Sequence, residues 1–151
     1  MAKNIIVSNR LPVQTQKEEN DWIFTPTSGG LATGMKSVHE EGESLWVGWP
    51  GISTEQLTGN AIDKIQKTLH KEGYKAVFLS EEALDNFYFG LSNKCLWPLF
   101  HYFVEYHQFD AKHWEHYVDV NQKFANAVIE SVEEGDKVWI HDYQLLLCPQ
   151  M

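Results

Sequence analysis

The chain has 151 residues, 43% of them hydrophobic and 13% aromatic, enough to bury one core and build one domain. Its net charge of −9 argues against nucleic acid or an anionic membrane as partner, but leaves open an anionic small ligand held by a local cation or a helix amino end. No signal segment precedes the first strand, and no apolar run approaches the roughly 20 residues that span a bilayer, so a soluble, reducing, cytoplasmic setting is expected.

In chain order, Asn4-Ile5-Ile6-Val7-Ser8-Asn9-Arg10 comes first. Its unbroken apolar run predicts a strand covered on both faces, and its polar end would lie at the strand's carboxyl edge, where open α/β sheets bind ligands. Val13 to Thr25 predicts a hairpin turning in the charged patch Lys17-Glu18-Glu19-Asn20-Asp21. Ser28-Gly29-Gly30 opens a predicted helix from Leu31 to about Glu41, with Leu31, Met35 and Val38 on its apolar face and Gly42 ending it. Leu45 to Trp49 predicts a strand closed by Pro50-Gly51. An amphipathic segment begins at Thr54, with Leu57, Ala61, Ile65 and Leu69 inward and Gly73 as its stop.

Lys75 to Leu79 predicts another strand, and Ser80 before Glu81 and Glu82 a capped helix start running into Tyr88, Phe89 and Gly90. A short helix is expected over Lys94 to Phe103, limited by Pro98. The longest helical pattern runs from Asp110 to about Glu134, broken by Gly135 and Asp136. Lys137 to Ile140 predicts a buried strand, followed by His141-Asp142-Tyr143 and the start of an apolar element at Leu145. Strands alternating with helices predict an α/β fold, a mostly parallel sheet with helices on both faces. Ending just after a strand suggests a fragment of a longer enzyme.

Several residues can carry chemistry, each with a plainer alternative. Arg10 is the only arginine in the chain; a lone guanidinium at a strand end suits a phosphate, or forms a surface ion pair. Gly29 and Gly30 would let a phosphate approach the helix amino end, or make a tight turn; the segment is neither GxGxxG nor a P-loop. Asp142 can fix sugar hydroxyls or cap the following element. His141 can be catalytic, or packed against Trp139 and bonded to backbone. Tyr88 and Trp97 can line a carbohydrate pocket, Trp97 serving otherwise as a plug between layers. Trp46 and Trp49 face opposite sides of a strand, and Trp49, nearer its end, is the better cleft candidate. His113 and His116 can meet on a helix, but without a third ligand they read as solvated or locally bonded. Cys95 and Cys148 suit neither a disulfide scaffold nor a thiolate metal motif and read as buried free thiols.

Taken together, five stretches closely resemble the amino-terminal part of trehalose-6-phosphate synthases, glycosyltransferase family 20. They are IIVSNRLPV (Ile5 to Val13), SGGL (Ser28 to Leu31), WVGWPG (Trp46 to Gly51), SNKCLWPLFHY (Ser92 to Tyr102) and VWIHDYQLL (Val138 to Leu146). The resemblance implies a GT-B glycosyltransferase of two Rossmann-like lobes. Residues 1–151 would form part of the acceptor-side lobe, with the donor-nucleotide lobe absent. It implies glucose transfer from UDP-glucose to glucose 6-phosphate with retention, with no cofactor and no metal. A homo-oligomer or a trehalose-synthesis complex is the assembly it suggests.

By the same resemblance, Arg10 grips the acceptor phosphate, and Tyr88, Trp97 and Trp49 line the acceptor pocket. Gly29 and Gly30 meet the donor phosphates or the transferred glucose, and Asp142 orients a glucose hydroxyl. The implied mechanism is front-face transfer through an oxocarbenium-like state, the donor phosphate helping to deprotonate the incoming hydroxyl. Two carboxylates at hydrolase spacing are not evident. Gln144 stands where family members often carry histidine, and the donor-phosphate cations would lie beyond Met151, so this polypeptide alone is expected to be inactive. The competing class is a noncatalytic sugar-phosphate-binding or regulatory module of the same family.

Overall fold

The computed structural model describes residues 2–19, 21–40 and 43–151; Asn20 in the expected turn, and Glu41 and Gly42 at the expected helix end, lie outside them. Its centre is β1 (Asn4–Arg10), where Ile5, Ile6, Val7 and Ser8 are all buried. A strand buried on both faces needs neighbours on both edges to satisfy its backbone. β1 has them in β4 (Ser44–Trp49) and β6 (Lys137–Ile140), both parallel to it. β5 (Tyr74–Ala76) pairs with the outer side of β4, giving the order β5-β4-β1-β6. β2 (Val13–Glu18) and β3 (Asp21–Pro26) form the expected hairpin as a separate two-stranded sheet.

Alternation along the strands divides the core. Ile5, Val7 and Val47 point to one face, beneath α5 (Ala111–Ile129) and the helical run that begins with α3 (Glu81–Leu84). Ile6 and Trp46 point to the other, packed with Met35 of α1 (Gly30–Glu40) and Ile65 and Leu69 of α2 (Ala61–Lys71). Each such side chain contributes about 1.5–3 kcal/mol on leaving water. Cys95 and Cys148 are buried free thiols. Among the described residues no helix is long and apolar enough to cross a membrane.

The helices differ from periodicity in identifiable places. Ser80 caps α3, its hydroxyl accepting from Ala83 N at 3.1 Å. The run then widens into a π-helix, Asp85–Leu96, before α4 (Trp97–Phe100). Phe87, Leu91 and Cys95, four residues apart, all stay buried in this wider spiral. Gly90 makes its packing against α5 possible, since a Cβ there would sit 2.7 Å from the His113 ring. α5 stops at Ile129 rather than near Glu134. Ser131 there turns its hydroxyl back onto the Ala127 carbonyl at 2.8 Å, and Lys75 draws Glu130 away at 2.9 Å. α2 likewise begins at Ala61, Thr54–Gln56 forming only a single 3-10 turn.

Lys137 to Ile140 is a strand but not the buried one expected: within residues 1–151, β6 pairs with β1 alone among the described strands, and Val138 and Trp139 are 40% and 53% exposed. An apolar run alone cannot distinguish a central strand from an edge strand whose faces lie uncovered.

At the carboxyl end of β1 the β1–β4 register shifts between Val7 and Arg10. Gly48 makes this possible: a Cβ there would lie 2.8 Å from Leu11 N and 2.9 Å from Arg10 C. Both are backbone atoms, so no rotamer change relieves the clash. Gly48→Ala is therefore expected to cost about 1–3 kcal/mol, read as a lower urea midpoint. An unchanged midpoint would mean the two strands separate freely at this point.

Candidate functional site

Chain direction reverses across the sheet at β1: the chain moves outward from β1 to β4 and β5, then returns to β6 on β1's other side. Such a switch point leaves a crevice beyond the strand ends. Here it is a cleft of about 280 Å³ whose lining includes Arg10, Gly29, Gly30, Tyr88 and Asp142.

Arg10 is seated by β4 and the loop after it. Its guanidinium lies 5.2 Å from the centre of the Trp49 ring, donates to Gln14 Oε1 at 3.1 Å, and has Gly51 alongside. There φ is +82° and a Cβ would lie 3.2 Å from Arg10 Nη2. Among the described residues no carboxylate forms an ion pair with Arg10, so the surface-ion-pair alternative is not what the fold builds. Its aromatic and amide neighbours orient the fork without neutralising it.

Asp142, directly after β6, lines the same cleft. His141 N donates to Val7 O at 2.8 Å, continuing the ladder one residue past the strand. Asp142 then adopts φ +74°, ψ 169° and accepts from Tyr143 N at 2.8 Å. That backbone region is close to glycine-only and costs of order 1–3 kcal/mol. Asp142 thus does make the local cap, while its residue lines the cleft. His141 stacks on Trp139 with ring centres 4.9 Å apart, and its Nε2 is buried without a hydrogen-bond partner, as is Asn9 Oδ1. Both residues line the cleft.

Ser28-Gly29-Gly30, leading into α1, lines it too. Nothing stands within 4 Å of a Cβ built on either glycine, and α1 carries no acidic residue in its first turn. An anion can therefore reach the helix's free N–H groups, where the macrodipole favours it.

Two expected site residues lie outside this lining. Trp49 flanks Arg10 and donates its indole N–H to Ile52 O at 3.0 Å. Trp97, 47% exposed, packs against His101 and Tyr143 at 3.7 and 5.6 Å. Trp46 faces the side opposite Trp49, as the strand alternation requires, and it is Trp46 that lines the cleft, its indole N–H donating to Ser8 Oγ at 2.8 Å. Ser8 and Asn9, the polar end of β1 expected at the binding edge, also line the cleft, whereas sequence reasoning missed Gly48 and Gly51 as the seat of Arg10. A glycine inside a strand pattern was the available signal of close backbone approach.

Elsewhere, His113 packs on Gly90 and His116 lies 3.8 Å from Glu82. No group of three or more His, Cys, Asp or Glu that could hold a metal occurs among the described residues. A larger groove of about 810 Å³ runs beside β5, but its Lys3 and Lys75 are already paired with Asp136 and Glu130.

A parallel sheet with its cleft at the switch point defines a Rossmann-like α/β lobe, and its solved counterparts are GT-B glycosyltransferases. Residues 2–151 match the model of glycosyltransferase family 20, and the chain belongs to that family. It is 39% identical over 151 residues to the UDP-forming α,α-trehalose-phosphate synthase of Botryotinia fuckeliana, covering 99% of this chain and 28% of that protein. It is 43% identical over 154 residues to the bifunctional trehalose-6-phosphate synthase/phosphatase of Thermoproteus tenax, covering 96% of this chain and 20% of that one. The structure of a UDP-forming α,α-trehalose-phosphate synthase from Burkholderia xenovorans in complex with glucose-6-phosphate superposes with TM-score 0.71 at 29% identity. That match covers 97% of this chain and 29% of the other. The chain thus spans less than a third of the length of these relatives.

Two outcomes test the cleft's backbone and electrostatics. Asp142→Gly removes the strain that Asp142→Ala retains, so the glycine variant is expected to be more stable by about 1–2 kcal/mol; equal unfolding midpoints would remove strain from the account. Burial lowers the pKa of His141 below the usual 6.5, with Asp142 opposing. Burial also lowers that of His39, with the Glu72 carbonyl and Glu40 opposing. At these two rings the unfolded chain then binds more protons than the folded one just below pH 6.5, so their contribution to folding stability is fully present above that value and is lost as pH falls through their folded-state midpoints. Imidazole NMR should find both rings titrating below 6.5; midpoints above it would contradict the burial.

Proposed function

We propose that this chain is the acceptor-side, amino-terminal lobe of a UDP-forming α,α-trehalose-phosphate synthase. The observation that carries the reading is an arginine with no carboxylate partner among the described residues, lining one strand-end cleft with a glycine turn and an aspartate in a family 20 chain. In this reading Arg10 grips the phosphate of glucose 6-phosphate through charge-assisted bonds. Tyr88, with Trp49 and Trp97 on the flanks, contacts the acceptor sugar, and Asp142 holds a glucose hydroxyl. Gly29 and Gly30 let the phosphates or glucose of UDP-glucose approach the α1 amino end.

The reaction breaks the bond between glucose C1 and the UDP oxygen and forms a bond from C1 to the acceptor oxygen on the same face. The acceptor's proton passes to the departing diphosphate. The lobe's contribution is to hold the acceptor oxygen beside C1 on the face the UDP oxygen leaves, which removes an entropic barrier. The cations that stabilise the diphosphate belong, in this reading, to a second lobe outside residues 1–151. A cytoplasmic setting, and assembly as a homo-oligomer or in a trehalose-synthesis complex, belong to the same proposal.

Calorimetric titration of the 151-residue chain with glucose 6-phosphate tests it. Binding is expected, and Arg10→Ala should weaken it at least about tenfold, the loss of a charge-assisted pair. Equal affinity in the variant would remove Arg10 from the site. UDP-glucose and glucose 6-phosphate together should yield no UDP from this chain; UDP release coupled to trehalose 6-phosphate would show that one lobe suffices. Turnover by a longer chain carrying both lobes distinguishes an enzyme from a regulatory sugar-phosphate binder.

A further inference from the structure

The segment after Asp142 has little backbone structure of its own, only short 3-10 turns at Tyr143–Leu145 and Cys148–Gln150. Its polar groups are satisfied instead by two α5 side chains one helical turn apart, which therefore share a face. The Tyr117 hydroxyl donates to Tyr143 O at 2.7 Å and accepts from Leu146 N at 3.1 Å. The Asn121 amide donates to Gln144 O at 3.0 Å, and its Oδ1 accepts from Leu147 N at 3.2 Å and Cys148 N at 3.0 Å. Five backbone groups within six residues are thus held from one helix. Tyr117 and Asn121 are 1% and 0% exposed, so water cannot replace either.

This pair sits immediately beyond the strained residue. On its other side the chain is pinned by His141 N to Val7 O. A φ of +74° at Asp142 persists only where both flanks are held. We propose that Tyr117 and Asn121 are positioning residues: by clamping residues 143–148 to α5 they hold Asp142 in its left-handed conformation and set its place in the cleft that Arg10 also lines. Neither residue lines the cleft, although Gln144, whose carbonyl Asn121 holds, does. They act through Asp142, so they govern recognition of the sugar and not of the phosphate. The inference rests on the reading of the cleft as a sugar-phosphate site.

The test measures affinity for two probes, glucose 6-phosphate and inorganic phosphate, by calorimetry. Tyr117→Phe deletes only a hydroxyl and keeps the buried ring, so it retains the fold where Asn121→Ala can lose it. It is expected to weaken glucose 6-phosphate binding roughly tenfold, the scale of a misplaced hydrogen bond to a charged group, while leaving phosphate affinity unchanged. In an Asp142→Ala background the same substitution should have no further effect on either probe, because the residue it acts through is gone.

The clamp is overturned if Tyr117→Phe leaves glucose 6-phosphate affinity unchanged, weakens both probes alike, or adds its full effect to that of Asp142→Ala. Failure of the sugar-phosphate reading itself looks different. The unsubstituted chain would then bind neither probe, or would bind them equally in the presence and absence of Arg10, and the clamp would fall with it.

Discussion

The parallel pairing of β1 with both β4 and β6 is the constraint on which the site depends. A strand with two hydrogen-bonded neighbours cannot shift register without breaking ladders on both edges. β4 fixes where Arg10 emerges, through the register shift that Gly48 permits. β6 fixes where Asp142 emerges, one residue beyond the backbone bond from His141 to Val7. The distance across the cleft is therefore a property of the sheet rather than of the loops alone.

An acidic chain can still present an anion site, because a net charge of −9 describes the far field and not the crevice. Salt screens exposed charges beyond about 8–10 Å, so carboxylates spread over the surface weigh little against one guanidinium lining a concave wall. Four of the eleven lysines are already engaged. Lys3, Lys36, Lys75 and Lys112 are each paired with a carboxylate, whereas Arg10 is oriented by an aromatic face and an amide.

The cleft also carries features that lower stability. Asp142 occupies a costly backbone region, and Asn9 Oδ1 and His141 Nε2 are buried without partners. Features of this kind persist where surrounding structure over-determines them and a ligand can compensate. Support comes from Gly51 beside Arg10 and from α5 behind the segment that follows Asp142.

Local pattern was sufficient for much of this molecule. The apolar run of β1, the Ser80 cap and the glycine turn before α1 are each encoded within a few residues, because burial on two faces, an orphan N–H and an open backbone approach are local demands. Arg10 and Asp142 were legible as strand-end residues for the same reason. What only the tertiary structure decided depends on distant neighbours. Lys137 to Ile140 is as apolar as a central strand, yet Val138 and Trp139 lie exposed within residues 1–151, since burial is set by which elements pack on a strand. Trp46 rather than Trp49 reached the cleft wall because the loop after β4 folds Trp49 onto Arg10. The wide spiral of residues 85–96 required Gly90 to meet His113 from another helix. Periodicity records which side chains leave water; it does not record which partner receives them.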